Sequence, residues 1–528
     1  MPARVTKVSI YLGLLVSCLP ALAQPPEAQV TQGLLVGKTD NAVSAYLGVP
    51  YAVPPVGQNR WVPPLPVKSW QGTRKADQFA ASCQQALTPN GFGPWTREYV
   101  VSSGAVSEDC LYLNIWTPAR TPKERLPVLF WIHGGGFSSG SGSVPIYDGA
   151  RLASRGIVVV NVNYRVGVYG FLAHPELTAE SSSNASGNYG LMDQAEALRW
   201  VHANIESFGG DPDRVTIAGQ SAGAASVHML VASPQVKGLF AQAIAQSGSG
   251  MGLPVPERKL AEATGQALSD ESGEQLSLRQ LRSLSAAELD ARIAKMPPSG
   301  PMGLRFLPIV DGLFLPEASY VGRNANDTPI LTGMTANEIT GLNPTFDKTT
   351  VAAFSNQLDG TYGALAAKVA ALYPAKTNIE AVAAFESHAR DRGLAAMYFW
   401  AKDRLQQTRY PIYTYIWTHP EPGPEAARFK AFHSSEIPYV FDTLRTADRP
   451  FTDIDDALAK TMSSYWVNFV KTGDPNGKNL PRWPRFTIAT KETMELGNRS
   501  QAQPILSSDR IAIFEQYTKD GGRVGLFN

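Results

Sequence analysis

Gly219-Gln220-Ser221-Ala222-Gly223 places a serine between two glycines, the G-x-S-x-G pattern of a nucleophile held on a sharp turn. A serine there would attack a carbonyl carbon and form an acyl-enzyme, provided that a base lies within reach. Side chains two positions to either side would collide at such a turn, so only Gly or very small residues fit. The pentapeptide alone also describes ordinary turns. Its setting is more specific: Val215–Ala218 before it has the composition of a buried strand, and Ala222–Val231 after it follows a helical pattern. A helix starting there would aim its unpaired N–H groups at the point where negative charge develops.

His133-Gly134-Gly135-Gly136-Phe137 follows the apolar run Val128–Ile132. Consecutive glycines let backbone N–H groups turn toward a ligand oxygen, so Gly135 and Gly136, with Ala222, are the expected oxyanion donors. A phosphate loop would need a following Lys-Ser/Thr or a G-x-G-x-x-G pattern, and neither is present.

The base and the acid should follow the serine in the chain. His228 lies on the nucleophile's own helix, about 10 Å from Ser221 at 1.5 Å rise per residue, and His388 falls within a helical pattern. Position alone leaves His419 and His433 both open. For the acid, Glu338 follows an apolar strand ending at Leu331, where a sheet's carboxyl edge presents side chains to a site. Asp311 competes, although an Asp-Gly pair is more often a turn.

These groups need a scaffold. From about Leu126 short apolar runs alternate with helical patterns, which predicts an α/β fold with a mostly parallel sheet flanked by helices. Expected strands are 128–132, 157–162, 215–218, 329–331 and 413–417, and expected helices include 191–205, 382–404 and 455–471. Pro50–Pro66 reads as extended loop, and Leu253–Pro301 as a helical insertion of the kind that builds a lid. The 528 residues fit one catalytic domain over 24–528.

Lys and Arg total 47 against 46 Asp and Glu, a formal charge of +1, so no global field recommends nucleic acid or an anionic membrane as partner. A small-molecule substrate without strong charge is expected. No H-x-x-x-H or C-x-x-C cluster implies a metal, and no cofactor is implied. Arg4 and Lys7, the apolar run Val8–Leu19 and Ala21-Leu22-Ala23 read as an export signal over residues 1–23, with secretion or a periplasmic location to follow. Leu15-Val16-Ser17-Cys18 offers the alternative of a lipoprotein anchored through Cys18. No later segment has about 20 uninterrupted apolar residues, so no transmembrane anchor is expected in the mature chain. In an exported chain Cys83 and Cys110 are expected to pair, closing a loop of roughly 28 residues worth about 3 to 4 kcal/mol in the chain-entropy model.

Several segments together resemble the type-B carboxylesterases, which include bacterial para-nitrobenzyl esterases, animal carboxylesterases and cholinesterases. They are Ser107-Glu108-Asp109-Cys110-Leu111-Tyr112-Leu113-Asn114, the glycine loop, Asn163-Tyr164-Arg165, Gly187-Asn188-Tyr189-Gly190-Leu191, the serine pentapeptide and Thr472-Gly473-Asp474-Pro475-Asn476. The resemblance implies an α/β-hydrolase fold with lid insertions and hydrolysis of carboxylic esters by Ser221, Glu338 and His433. It selects His433, in Ala431-Phe432-His433-Ser434-Ser435-Glu436, over His419, and Glu338 over Asp311. It matches Cys83–Cys110 to the family's first bridge, and the missing cysteines of the animal enzymes' further bridges point to a microbial member. Arg60 with Glu108, and Arg165 with Asp193, resemble the family's structural ion pairs.

Gln220 departs from the Glu that cholinesterases carry before the serine. A neutral amide there disfavours cationic alcohols and points to small or medium neutral esters. Trp95, inside the cysteine loop, is similar to an entrance aromatic of the family, but its spacing from the cysteines differs and loop packing is equally compatible. Ser247 reads as a polar group behind the site. An amidase or lactone hydrolase would use the same residues, and a non-catalytic adhesion protein is the contrasting class.

Overall fold

Buried β-branched runs alternating with helices assemble into an eleven-stranded sheet, as seen in a computed structural model. It describes residues 25–527, apart from 41, 101, 103, 250, 251, 254, 269–272, 298–302 and 317–324. The expected export signal and Cys18 lie outside the described residues, as do parts of the 253–301 insertion.

The strands of this sheet, in chain order, are β1 Lys38–Asp40, β2 Val43–Pro50, β3 Tyr112–Thr117, β4 Leu126–Ile132, β5 Val158–Val162 and β6 Gly210–Gln220. β7 Gln242–Gln246, β8 Ile330–Thr335, β9 Ile412–Trp417, β10 Glu492–Leu496 and β11 Gln501–Pro504 complete it. Their spatial order is β11-β10-β9-β8-β7-β6-β4-β5-β3-β2-β1. Every pairing from β5 through β4 and β6 to β10 is parallel, and the strands at both edges are antiparallel. Helices covering both faces of a parallel sheet leave its strands no polar side, which explains why β5 is buried at every position and β4 at all but its first.

The expected elements are present with small shifts at their ends. The strand expected at 215–218 is longer, running back to Gly210 through a register irregularity beside β4. Four of the helices position the site: α1 Tyr189–Asn204, α2 Ala222–Ala232, α3 Glu338–Leu342 and α4 Asn378–Leu405, the last 28 residues long. α5 Ile437–Phe441 and α6 Asp453–Thr472 follow them. A capping box of Thr452 and Asp455 starts α6, and Gly473 at φ 73° ends it, so both termini are satisfied locally. Of the expected loop Pro50–Pro66, Pro50 ends β2 and the rest is loop with one short 3-10 turn, Gly57–Asn59.

The 253–301 insertion carries short helices at Arg258–Gln266, Leu278–Ser283 and Ala286–Lys295. Arg60 ties it to the body: its Nη1 donates to Leu281 O at 3.0 Å and Leu284 O at 2.8 Å, while its Nη2 pairs with Glu108 at 2.5 Å. The buried Arg165–Asp193 pair is bidentate, at 2.7 and 2.8 Å, and joins the loop after β5 to α1. Cys83 and Cys110 form the expected disulfide. No helix among the described residues is long and apolar enough to cross a membrane.

Candidate active site

β4 and β6 are neighbours although β5 separates them in the chain, and at this reversal of strand order their carboxyl ends open a crevice. The serine turn follows β6 and the glycine loop follows β4. β7 leads into Ser247, β8 into Glu338, and β9 into the excursion that carries His433.

Ser221 has φ 59° and ψ −123°, a conformation that non-glycine residues seldom adopt and that a surrounding structure must enforce. The turn is packed against β4. A Cβ at Gly223 would lie 2.1 Å from Ile132 O, and one at Gly219 would lie 2.5 Å from the Gly223 backbone. The glycines of the pentapeptide are therefore imposed by close backbone approach, and Ser221 N donates to Gln246 O at 2.9 Å to fix the crest of the turn.

The glycine loop is anchored from beneath. His133 is buried, which pushes its imidazole down to about 4, and its ring stacks on Tyr164 with centroids 4.4 Å apart. The Tyr164 hydroxyl donates to His133 O at 2.9 Å. Gly135 at φ 106° and Gly136 at φ 62° turn the chain, and Gly135 O accepts from the N–H of Ser138 and of Ser139, each at 3.0 Å. The N–H groups of Gly135, Gly136 and Ala222 have no protein acceptor among the described residues, and all three residues line the cavity described below.

Glu338 is buried and saturated with donors. Its Oε1 accepts from the Ser247 hydroxyl at 2.6 Å and from Thr335 N at 2.8 Å, and its Oε2 accepts from His433 Nδ1–H. Backbone contacts hold the two segments together, since Asn337 N donates to Ala431 O at 3.0 Å and the Thr340 hydroxyl to Phe429 O at 2.6 Å. With Nδ1 committed to Glu338, Nε2 presents a lone pair. The Gln220 side-chain N–H donates to it at 3.2 Å. No hydrogen bond joins Ser221 Oγ to His433 among the described residues, and such bonds often tighten only once substrate is bound.

The other histidines lie elsewhere. Burial pushes His228 and His388 down to about 3, and His388 contacts the Tyr362 hydroxyl at 2.7 Å. His419 has both nitrogens engaged, with Asp455 at 2.9 Å and Asn498 at 2.7 Å. Asp311 closes a turn, its Oδ1 accepting from Leu313 N and Leu315 N, each at 2.9 Å.

Ser221, His433 and the glycine loop line one cavity of about 550 Å³. Its walls are largely apolar, with Trp95, Tyr99, Val144, Leu253, Leu304 and Phe527 among them. Arg428 also reaches it, but its guanidinium is paired with Asp347 at 2.9 Å and Glu425 at 3.3 Å. Trp95, left open by the sequence, both lines the cavity and packs on its neighbours. Two features escape sequence reading. Buried Glu436 sits behind Glu338 and His433, accepting from Gln246 Nε2 at 3.3 Å, and Arg449 braces the cysteine loop. Glu436 lies in the His433 segment without a role attached to it there, Arg449 lies in no motif, and their tertiary neighbours reveal both.

The family model that describes the carboxylesterase family matches residues 24–514. Over 496 residues the chain is 37% identical to the fumonisin B1 esterase of Sphingopyxis macrogoltabida, covering 89% of this chain and 87% of that protein. It is 36% identical over 487 residues to the para-nitrobenzyl esterase of Bacillus subtilis, covering 88% and 93%. The crystal structure of the carboxylesterase EST55 of Geobacillus stearothermophilus superposes with a TM-score of 0.77 at 33% identity, covering 92% of this chain and 99% of that one. These relatives favour ester hydrolysis over the amidase, lactone-hydrolase and adhesion alternatives. The chain belongs to the carboxylesterase family, and it is a serine hydrolase of carboxylic esters with the α/β-hydrolase fold.

Proposed function

We propose that Ser221 is the nucleophile of this esterase, His433 its general base and Glu338 the carboxylate that orients the base. The observation that carries the assignment is the buried Glu338–His433 hydrogen bond opening onto the cavity that Ser221 shares. His433 Nε2 accepts the Ser221 proton as Oγ attacks the ester carbonyl, and the adjacent carboxylate stabilises the imidazolium that forms. The N–H groups of Gly135, Gly136 and Ala222 receive the oxyanion, where one lost donor typically costs about 3 kcal/mol. His433 then protonates the departing alcohol, and a water repeats the cycle to release the acid and regenerate Ser221.

The substrates are small to medium neutral esters. The apolar walls, the neutral Gln220 and the compensated Arg428 support this, because none of them offers an uncancelled charge to an ionic substituent. Residues 24–528 act as one catalytic domain. Residues 1–23 direct export, which the Cys83–Cys110 pairing supports, since such bonds persist in oxidising compartments.

Ser221→Ala tests the assignment. Turnover of a p-nitrophenyl ester should fall at least about 10³-fold and fluorophosphonate labelling should vanish, with the thermal midpoint almost unchanged. Retained hydrolysis would remove Ser221 from the mechanism. A series of neutral, cationic and anionic esters of matched size tests the substrate class, and a preference for either ionic set would reject it.

A further inference from the structure

The Cys83–Cys110 segment lies over the cavity and meets the base through a polar contact. Trp95 Nε1–H donates to the backbone carbonyl of His433 at 3.0 Å. The indole meets the imidazole edge to face, with centroids 6.3 Å apart at 82°, and Phe432 in the same manner at 6.3 Å and 90°. A Cβ at Gly341, in the helix that opens with Glu338, would lie 3.1 Å from Trp95 Cη2. One side chain therefore touches the peptide of the base and the helix of the acid while lining the cavity.

The indole is itself held in place. Phe92 and Trp95 exchange backbone hydrogen bonds of 2.9 and 3.1 Å around a tight turn. Arg449 Nη2 donates to Pro94 O at 3.2 Å and to Thr96 Oγ1 at 2.7 Å, and its Nε pairs with Glu98 at 3.2 Å and buried Glu421 at 3.3 Å. The Tyr99 hydroxyl donates to Glu421 at 2.6 Å. None of these groups touches the reacting atoms.

We propose that Trp95 is a positioning residue for this reaction, its indole N–H fixing the His433 peptide and so the direction in which the imidazole reaches for Ser221. The inference rests on the reading of His433 as the base. Ser434, next in the chain, has φ 84°, so the peptide held by the indole adjoins a conformation that needs outside restraint. Glu338 constrains the ring only at Nδ1, and rotation about that bond and the side-chain torsions would swing Nε2 away from Ser221. A misplacement of about 1 Å can cost 10²-fold in rate. The Trp95 contact removes this freedom at the backbone end.

Two variants separate the donor from the wall. Trp95→Phe keeps an aromatic wall without the N–H, and β-(3-benzothienyl)alanine incorporated at position 95 keeps the indole's shape with sulfur in place of N–H. Both should lower kcat on a neutral p-nitrophenyl ester about 5- to 10-fold, the worth of one hydrogen bond, with KM within threefold. The acid limb of the pH profile should move downward, because a loosened imidazolium is held less closely by Glu338. A benzothienyl enzyme with wild-type kcat and acid limb would overturn the proposal, as would a change confined to KM, which would leave Trp95 a wall alone. Ser221→Ala run beside them separates the two readings: an active Ser221→Ala overturns both, whereas a dead Ser221→Ala with an unimpaired benzothienyl enzyme overturns this one only.

Discussion

The Gln220 side-chain amide donates to His433 Nε2 at 3.2 Å, so the lone pair that accepts the serine proton in the proposed mechanism is occupied in the resting site. The amide N–H there is neutral and brings no charge to the ring. In the proposed mechanism the ring exchanges the amide for the Ser221 hydroxyl without leaving Glu338.

Replacing that amide by a carboxylate reverses the balance. Gln220→Glu places a negative charge beside Nε2 and stabilises the imidazolium. His433 as the proposed base must be neutral to act, so the acid limb of kcat/KM should move to higher pH. Turnover of neutral esters at pH 6 should drop more than at pH 8, while esters of cationic alcohols should gain relative to neutral ones. Overlapping profiles would show that residue 220 does not act through the base.

The Ser247 hydroxyl is one of the donors that saturate Glu338 Oε1. Ser247→Ala leaves a buried carboxylate with a vacant acceptor, at a cost of about 1 to 3 kcal/mol. The carboxylate is then freer to rotate, so kcat should fall about tenfold with little change in KM. Steady-state kinetics on one neutral ester would show this, and an unchanged kcat would count against a role for Ser247.

Gly223 is a packing constraint within a catalytic motif. A Cβ there would lie 2.1 Å from Ile132 O and 2.8 Å from His133 O, both backbone atoms that cannot move without displacing β4. Gly223→Ala should destabilise the fold by about 2 to 4 kcal/mol and depress activity as the serine turn lifts from the glycine loop. Chemical denaturation reads the first effect, and a variant as stable as wild type would contradict the close approach.

Burial and the nearby Glu338 push Glu436 up to about 7, and its Oε2 has no hydrogen-bond partner among the described residues. A folded-state pKa above the unfolded value of 4.5 means that the native state holds the extra proton between these values. Stability from this group is present below about pH 4.5 and is lost as pH rises to about 7. Glu436→Gln should therefore stabilise the protein at pH 8, by up to about 3 kcal/mol, and confer little at pH 4.5. Thermal midpoints at the two pH values test the sign.

Much of this was legible in the sequence because it was local. The glycines around Ser221 and in the 134–136 run and the apolar strand before each encode short-range geometry, and the positions of β4, β6 and β9 followed from composition and period. Whether His419 or His433 serves the site was not local: both follow β9, and the resemblance to a family rather than any spacing favoured His433. In the structure His419 is held between Asp455 and Asn498 away from the cavity, while His433 lines the cavity together with Ser221, which supports the proposed choice. Trp95 on the His433 carbonyl, Gln220 on its ring and Glu436 behind it were decided only by the tertiary fold. The contacts of Trp95 with His433, Gln220 with His433 and Gln246 with Glu436 span 338, 213 and 190 residues in sequence. Sequence period reports which face of an element is buried, whereas the partner that a polar group finds there depends on how distant elements pack.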